Sequence, residues 1–168
     1  MTHLIETLDA DFDWMLGGPP SREGLTLPPG GVDAPETLDI VRDIHAAARD
    51  AGRPGAWMMV ADGEIVGLCG AARGALRPGE SEIGYGVAPA RRRRGHASRA
   101  VAAMILMARA DPALRALTAV TAEDNHPSQA VLTRHGFVEA GRETRADDGP
   151  VILWRLDLRG GERPGPSG

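Results

Sequence analysis

The part of the chain best suited to chemistry is a run of four arginines at positions 91–94, followed by Gly95. A strand-like stretch, residues 82–87, leads into this run, and an amphipathic helical pattern follows it. Gly95 and the small Ala97 would leave backbone N–H groups accessible at the start of that helix, where such groups bind diphosphate. The spacing therefore predicts an anion site in a basic turn between a strand and a helix.

Two plainer interpretations of the arginine run stay open. It could be a solvated charged patch, although a patch that only adds solubility has no reason to lie between a strand and a helix. It could also bind nucleic acid, but the chain has a net charge of -4 and no aromatic residues among these arginines. Nucleic-acid affinity comes mostly from neutralising phosphates, so we expect no nucleic-acid partner.

The elements that would position this turn follow from hydrophobic spacing and breaker residues. The pattern predicts strands at 4–8, 56–61, 64–71, 82–87, 116–122, 137–144 and 151–158, and helices at 11–16, 35–52, 95–110 and 127–135. This order favours an α/β (α+β) fold, a mixed sheet with helices on its faces. We expect one domain over residues 1–158 and a disordered tail, rich in Gly and Pro, over residues 159–168.

Composition excludes several classes of protein. The 168 residues are 42% hydrophobic and 25% charged, which fits one globular domain. All 19 Lys and Arg residues are Arg, which excludes P-loop NTPases and pyridoxal enzymes because both need a lysine. Cys69 stands alone and the 5 histidines are scattered, so we expect no disulfide and no metal site. No membrane span or signal peptide is visible, so we expect a cytoplasmic protein without a membrane partner.

Two motifs resemble a known family. Residues 92–97 match the pattern Q/R-x-x-G-x-G/A, and residues 125–137 match N-x-x-S-x-x-V-L-x-x-x-G-F. Together they resemble the signatures of the GNAT superfamily of acetyl-CoA-dependent N-acetyltransferases, in particular the branch that acetylates the N-termini of ribosomal proteins. The resemblance covers residues 4–158. It implies a central mixed sheet of six or seven strands with helices on both faces and a V-shaped splay between the fourth and fifth strands.

The resemblance also implies acetyl-CoA as co-substrate and a position for each part of it. A bulge in the strand over 82–87 would free backbone groups around Val87 for the pantetheine arm. Asn125 would bond the pantetheine, and Ser128 would lie near the thioester sulfur. The pyrophosphate would be held by the backbone amides of Arg92, Arg93, Arg94, Gly95, His96 and Ala97.

The reaction implied is attack of a neutral primary amine on the thioester carbonyl, in a ternary complex. Glu82 is the expected general base, unless it is an edge-strand glutamate that faces solvent. Many family members carry a tyrosine at the position of Leu132 to protonate the thiolate, so Ser128 is the remaining candidate for that role. Ser128 could instead be a helix cap. Tyr85 is expected in the core or the cleft wall.

The acceptor is expected to be a peptide N-terminus or a small-molecule amine. The resemblance places the acceptor side in the early helices and the loop between them, here residues 11–34. Asp11, Asp13 and Trp14 in this segment could bind the acceptor as a cation, or they could simply belong to a helix with a polar face and one core tryptophan. The alternative function is a non-catalytic acyl-CoA-binding regulatory module of the same fold. A homodimer through the apolar last strand, residues 151–158, is a further possibility.

Overall fold

The computed structural model describes residues 1–72 and 77–159. In that part of the chain one sheet has seven strands in the order β1-β2-β3-β4-β5-β7-β6. The strands are β1 (His3–Glu6), β2 (Ala56–Ala61), β3 (Glu64–Ala71), β4 (Glu80–Val87), β5 (Ala116–Ala122), β6 (Val138–Arg145) and β7 (Gly149–Asp157). The helices are α1 (Asp9–Met15), α2 (Pro35–Asp50), α3 (His96–Ala110) and α4 (His126–Arg134), with a short 3-10 helix at Pro89–Arg91. The α/β fold class is confirmed.

Local signals account for most element boundaries. Asp62 and Gly63 join β2 to β3 with φ angles of 51° and 77°, the left-handed conformation that a two-residue hairpin turn requires. Pro35 occupies the first turn of α2, where its missing N–H costs nothing. Most of the disordered tail expected from the sequence, residues 160–168, lies outside the described residues, whereas Arg159 donates from Nη2 to the Pro112 carbonyl at 2.6 Å.

Helices cover both faces of the sheet, as expected. One buried cluster joins α1 and α2 to β2 and β3 and includes Phe12, Trp14, Leu38, Met58 and Leu68. The other joins α3 and α4 to the opposite face and includes Val101, Met104, Leu117, Leu132 and Trp154. Each face therefore has a core of its own, and β2 and β3 contribute side chains to both.

The sheet opens between its only parallel pair among the described strands. β4 and β5 are in register at Glu80↔Ala116, Ser81↔Leu117 and Glu82↔Thr118. Beyond Glu82, β4 stays paired with β3 while β5 stays paired with β7 up to Ala122. The two strands therefore diverge into a V-shaped cleft, which confirms the expected splay between the fourth and fifth strands.

Two structural expectations were wrong. β4 pairs with β3 from Ile83 to Val87 in one continuous register, so the bulge expected in this strand is not present there. The splay instead arises because each strand follows a different neighbour. The last strand, β7, lies between β5 and β6, so its backbone edges are both occupied and it cannot provide a dimer edge.

Candidate active site

The V-shaped opening is a cleft of about 710 Å³. It brings together eight residues predicted from the sequence, which are Val87, Arg92, Arg93, Gly95, His96, Ala97, Asn125 and Ser128. Arg94 and Glu82 were also predicted but do not line this cavity. The two motifs, separate in sequence, thus form opposite walls of one cleft.

The turn before α3 presents backbone N–H groups to the cleft. Gly95 adopts a φ of 78° and precedes the first helical residue, His96. No side chain of the described residues caps this helix, so the amides of its first turn have no partner within the helix. They carry the positive end of the helix dipole, which makes the start of α3 a ready anion site.

The four arginines of the turn differ in their contacts. Arg91 makes a two-pronged ion pair with Glu64, with Nε at 2.5 Å and Nη2 at 2.9 Å from the carboxylate oxygens. Arg92 donates from Nε to the Val87 carbonyl at 3.2 Å. Arg93 holds a φ of 64°, which is uncommon for a residue other than glycine. Arg91 and Arg92 therefore help to stabilise the turn, and the arginine run is not a uniform charged patch.

His96, the histidine of the turn, attaches the turn to the N-terminal segment. His96 is buried, and its Nδ1 lies 2.8 Å from the Thr2 hydroxyl. Burial and the nearby charges of Arg99 and Arg94 lower the pKa of His96, so its imidazole is neutral at neutral pH. The side chain thus anchors the turn to the N-terminal segment, and its backbone N–H is the group that faces the anion site.

Backbone groups of β4 also face the opening. The Ala88 N–H donates to Val66 and the Glu82 carbonyl accepts from Ala72, so the even-numbered residues of β4 bond to β3. Successive strand residues direct their N–H and C=O groups to opposite sides. Tyr85 and Val87 therefore direct theirs toward β5, which has already diverged.

A tyrosine and a serine face each other across the cleft. The Tyr85 hydroxyl lies 2.8 Å from Ser128 Oγ and 3.2 Å from the Ser128 carbonyl oxygen. Burial raises the pKa of Tyr85 and outweighs the Ser128 hydrogen bond, which lowers it, so the phenol is protonated at neutral pH. Tyr85 is thus a cleft-wall residue, one of the two positions expected for it.

Asn125, and not Ser128, caps helix α4. The Asn125 Oδ1 accepts the Ser128 N–H at 3.2 Å, so the helix-cap interpretation of Ser128 is wrong. The Ser128 hydroxyl is left to Tyr85 and the cleft. Leu132, at the position of the family tyrosine, is fully buried in the core.

Glu82 is the last residue of β4 that pairs with β5, at the closed end of the V. Its side chain is only 9% exposed, so it is not a solvent-facing edge residue. Its charge is among those that raise the pKa of Arg145, after the dominant hydrogen bond from Arg145 to Glu143. The carboxylate therefore lies inside the protein near the point where the two strands part.

The residues expected to bind the acceptor lie elsewhere. Asp11 is fully buried and accepts hydrogen bonds from the Leu8 N–H at 2.7 Å, from Ser21 Oγ at 2.6 Å and from Arg22 at 2.7 and 2.9 Å. Trp14 is part of the core. Asp13 pairs with Arg42 at 3.0 Å. The plainer interpretation, a polar helix face with a core tryptophan, is correct.

Other expectations about reactive groups can be checked. Cys69 is buried, and burial raises the pKa of its thiol to about 12, so it is a small core residue and not a nucleophile. Within residues 1–72 and 77–159, no group of three or more His, Cys, Asp or Glu could hold a metal ion. No helix in the described part of the chain is both long and apolar enough to cross a membrane.

Several lining residues of the cleft were not predicted as site residues, among them Gly86, Ser98 and Arg134. Ser98 and Arg134 line the cavity, and the Ser98 hydroxyl lies 2.8 Å from His135 Nε2, which ties α3 to the end of α4. Gly86 lines it from β4. Ser98 lies one residue after the first motif and Arg134 lies within the second, so helical spacing from the motif residues would have indicated both.

The structure is a mixed sheet that splits within its parallel pair β4–β5, with the uncapped start of helix α3 at the opening, which defines an α/β protein with a site suited to an anion. Residues 8–138 match the family model described as an acetyltransferase (GNAT) domain, so the chain belongs to the GNAT acetyltransferase family. The resemblance stated from the two motifs is confirmed. No protein of curated function matches the sequence.

Solved structures with the same fold include members of the suspected branch. Mycobacterium smegmatis RimJ in complex with CoA-disulfide is 29% identical, with a TM-score of 0.59 over 74% of this chain and 62% of that one. The Salmonella typhimurium acetyl transferase that modifies the N-terminal serine of ribosomal protein L7/L12 is 18% identical, with a TM-score of 0.63 over 76% and 77%. A Streptococcus pneumoniae GNAT acetyltransferase is 16% identical, with a TM-score of 0.65 over 95% and 100%.

Proposed function

We propose that the protein transfers the acetyl group of acetyl-CoA to a primary amine, on a peptide N-terminus or a small molecule, by direct attack in a ternary complex. The observation that carries the proposal is the cleft between β4 and α4, which places both motifs around one cavity. Membership of the acetyltransferase family supports the reaction class.

The chain's own groups fit each part of acetyl-CoA. The unpartnered amides at the start of α3, with the flanking Arg92, Arg93 and Arg94, would hold the pyrophosphate. The N–H and C=O of Tyr85 and the N–H of Val87, which face away from β3, would bond the pantetheine as a strand would, whereas the Val87 carbonyl accepts from Arg92. Asn125 uses its Oδ1 as a helix cap, so its side-chain NH₂ is the group that would donate to the pantetheine.

The reacting atoms need a base, a polarised carbonyl and a proton donor. In the proposed mechanism the amine nitrogen bonds to the thioester carbon, its proton passes to Glu82, and the carbon–sulfur bond breaks. A backbone N–H near Val87 polarises the carbonyl oxygen. Ser128 gives its proton to the departing sulfur and receives one from Tyr85, which lies 2.8 Å away. Base and acid assistance of this kind is worth about 100- to 10,000-fold.

The second candidate is the non-catalytic acyl-CoA-binding module. It is favoured by Leu132, a buried apolar residue at the position where many family members carry the acidic tyrosine. The Tyr85–Ser128 pair answers that objection because it places a protonated phenol next to the serine. A single domain over residues 1–158, a homodimer and a cytoplasmic location stay predictions from the sequence.

The test is thiol release from acetyl-CoA over a panel of amines and N-terminal peptides, with Glu82→Gln and Ser128→Ala beside the wild type. Acetyl transfer to one amine class, with turnover lost in both variants and acetyl-CoA affinity kept, supports the enzyme. Binding of acetyl-CoA with no transfer to any amine, and no difference among the three proteins, supports the regulatory module.

A further inference from the structure

A carboxylate outside both motifs stands beside the cleft. Asp33 ends the long segment between α1 and α2, and its Oδ2 lies 3.2 Å from where a Cβ on Gly86 would be. Gly86 itself lines the cleft. The side chain of Asp33 is half-buried, and its Oδ1 accepts the N–H of Ala34 at 2.8 Å. Asp33 thus lies directly against Gly86 on the β4 wall, at a distance where a Cβ on residue 86 would push its carboxylate away.

The Oδ2 of Asp33 is open for a ligand. Among residues 1–72 and 77–159, the Ala34 N–H is the one hydrogen-bond donor that Asp33 engages, and no cation pairs with it. The first turn of α2 begins after Asp33 and takes no side-chain cap from it. A carboxylate with one free oxygen at the edge of a cleft can accept a hydrogen bond from a cation.

Asp33 lies on the face of β4 opposite to Tyr85. Ile83, Tyr85 and Val87 pack toward the core beneath α3 and α4. Gly86 pairs with Leu68, which belongs to the core beneath α1 and α2. The cofactor arm would therefore lie on one face of the sheet, and an acceptor bound at Asp33 would approach the opening from the other face. The two substrates of the reaction would thus meet at the opening without overlapping.

The same face of β4 carries no side chain next to Asp33. Side chains alternate along a strand, so Glu82, Gly84 and Gly86 share this face. The two glycines add no side chain to the strip of β4 between Glu82 and Asp33, about 13 Å from Cα 82 to Cα 86 at the usual rise per residue. The small Ala72 side chain borders this strip, 3.5 Å from where a Cβ on Gly84 would be. A slender chain can lie along that strip, whereas any side chain at position 84 or 86 would narrow it.

We propose that Asp33 is a specificity-determining residue that binds the ammonium group of the acceptor and directs it to the thioester. The inference rests on the proposed acetyl transfer. An amine with a pKa near 8 to 10 is mostly protonated at pH 7, so the acceptor arrives as a cation. The expected acceptors are therefore primary amines, bound as ammonium ions, whose nitrogen is carried on a narrow, unbranched chain. The acceptor ammonium loses its first proton to solvent before attack, and the proton that the nitrogen loses during attack passes to Glu82.

A pair of CoA thioethers tests this without knowledge of the acceptor. S-(2-aminoethyl)-CoA carries an ammonium about where an attacking amine would be, and S-propyl-CoA is its uncharged isostere. Their dissociation constants are measured by calorimetry on the wild type, on Asp33→Asn and on the control Asp39→Asn, which removes an exposed carboxylate of α2. Acetyl-CoA is titrated into all three proteins.

We expect the wild type and Asp39→Asn to bind the aminoethyl probe about tenfold more tightly than the propyl probe, the effect of one charge-assisted hydrogen bond. Asp33→Asn should bind the two probes equally and keep its affinity for acetyl-CoA. A preference that survives in Asp33→Asn, or no preference in the wild type, overturns the role of Asp33 alone. Loss of acetyl-CoA binding in the wild type overturns the proposed function as well.

Discussion

The Tyr85→Phe variant isolates the proposed proton relay. The change removes one oxygen and keeps the ring, so the cleft wall and the acetyl-CoA affinity should be preserved. The lost contacts of the Tyr85 hydroxyl are its 2.8 Å hydrogen bond with Ser128 Oγ and its 3.2 Å contact with the Ser128 carbonyl oxygen. A neutral hydrogen bond of this kind contributes about 1 kcal/mol to folding, so only a small loss of thermal stability is expected.

The effect on turnover should be larger than the effect on stability. As the sulfur departs with negative charge, the Ser128 hydroxyl donates to it, and the bond from Tyr85 becomes part of a charge-assisted chain. Such bonds are worth about 1.5 to 3 kcal/mol, which corresponds to roughly 10- to 100-fold in rate. We therefore expect kcat of Tyr85→Phe to fall about 10- to 100-fold while the Kd for acetyl-CoA changes little.

A double-mutant cycle and a spectroscopic titration complete the test. Because the two residues act as one unit, Tyr85→Phe should have little further effect in a Ser128→Ala background. Tyr85 is the single tyrosine of the chain, so the ultraviolet absorbance of phenolate reports this group alone. Its pKa should lie above the ordinary 10.0. A kcat within twofold of the wild type would refute the relay, whereas ionisation at or below pH 10 would contradict the effect of burial on the phenol.

Three further predictions concern the site and its scaffold. Gly95→Glu should abolish acetyl-CoA binding in a calorimetric titration, because it places a carboxylate at the anion site and a side chain on a residue with a φ of 78°. Circular dichroism checks that the variant is folded. Affinity retained in the folded variant would contradict the assignment of the anion site. Arg22→Ala should lower the free energy of unfolding, measured by urea denaturation, by about 3 kcal/mol, because it leaves the buried Asp11 carboxylate without its ion pair. A loss under about 1 kcal/mol, the value expected for an exposed ion pair, would contradict a stabilising role of the Arg22–Asp11 pair. Burial lowers the pKa of His45, whose Nδ1 accepts the Ala56 N–H at 2.9 Å. The unfolded chain therefore binds a proton at His45 more readily than the folded protein, and the free energy of unfolding should fall as the pH drops below 6.5. His45→Gln should flatten this pH dependence. An unchanged slope of unfolding free energy against pH would show that His45 does not cause it.

Features set by nearby residues were predictable from the sequence. The Asp62-Gly63 hairpin turn, the start of α2 at Pro35 and the glycine before α3 appear where local signals placed them. Seven strands and four helices were expected in the order found among the described residues. The resemblance of the second motif to the family signature implied that Asn125 and Ser128 face the cofactor, and both line the cleft.

Features set by distant contacts were not predictable in the same way. No local pattern shows that Arg22 folds back onto Asp11 and turns a candidate acceptor ligand into a buried ion pair. No local pattern shows that β6 crosses outside β7 and removes the expected dimer edge. Asp33 was overlooked because its importance depends on a glycine far along the chain, Gly86.

The central claim is that the split between β4 and β5 binds acetyl-CoA, with its diphosphate at the start of α3. It is tested most directly by calorimetric titration of the wild type with acetyl-CoA and with S-acetylpantetheine, which carries the thioester but no diphosphate. We expect micromolar binding of acetyl-CoA and binding of S-acetylpantetheine at least a hundredfold weaker, about 3 kcal/mol. Equal affinity for the two, or no binding of acetyl-CoA, would contradict the assignment of the cleft.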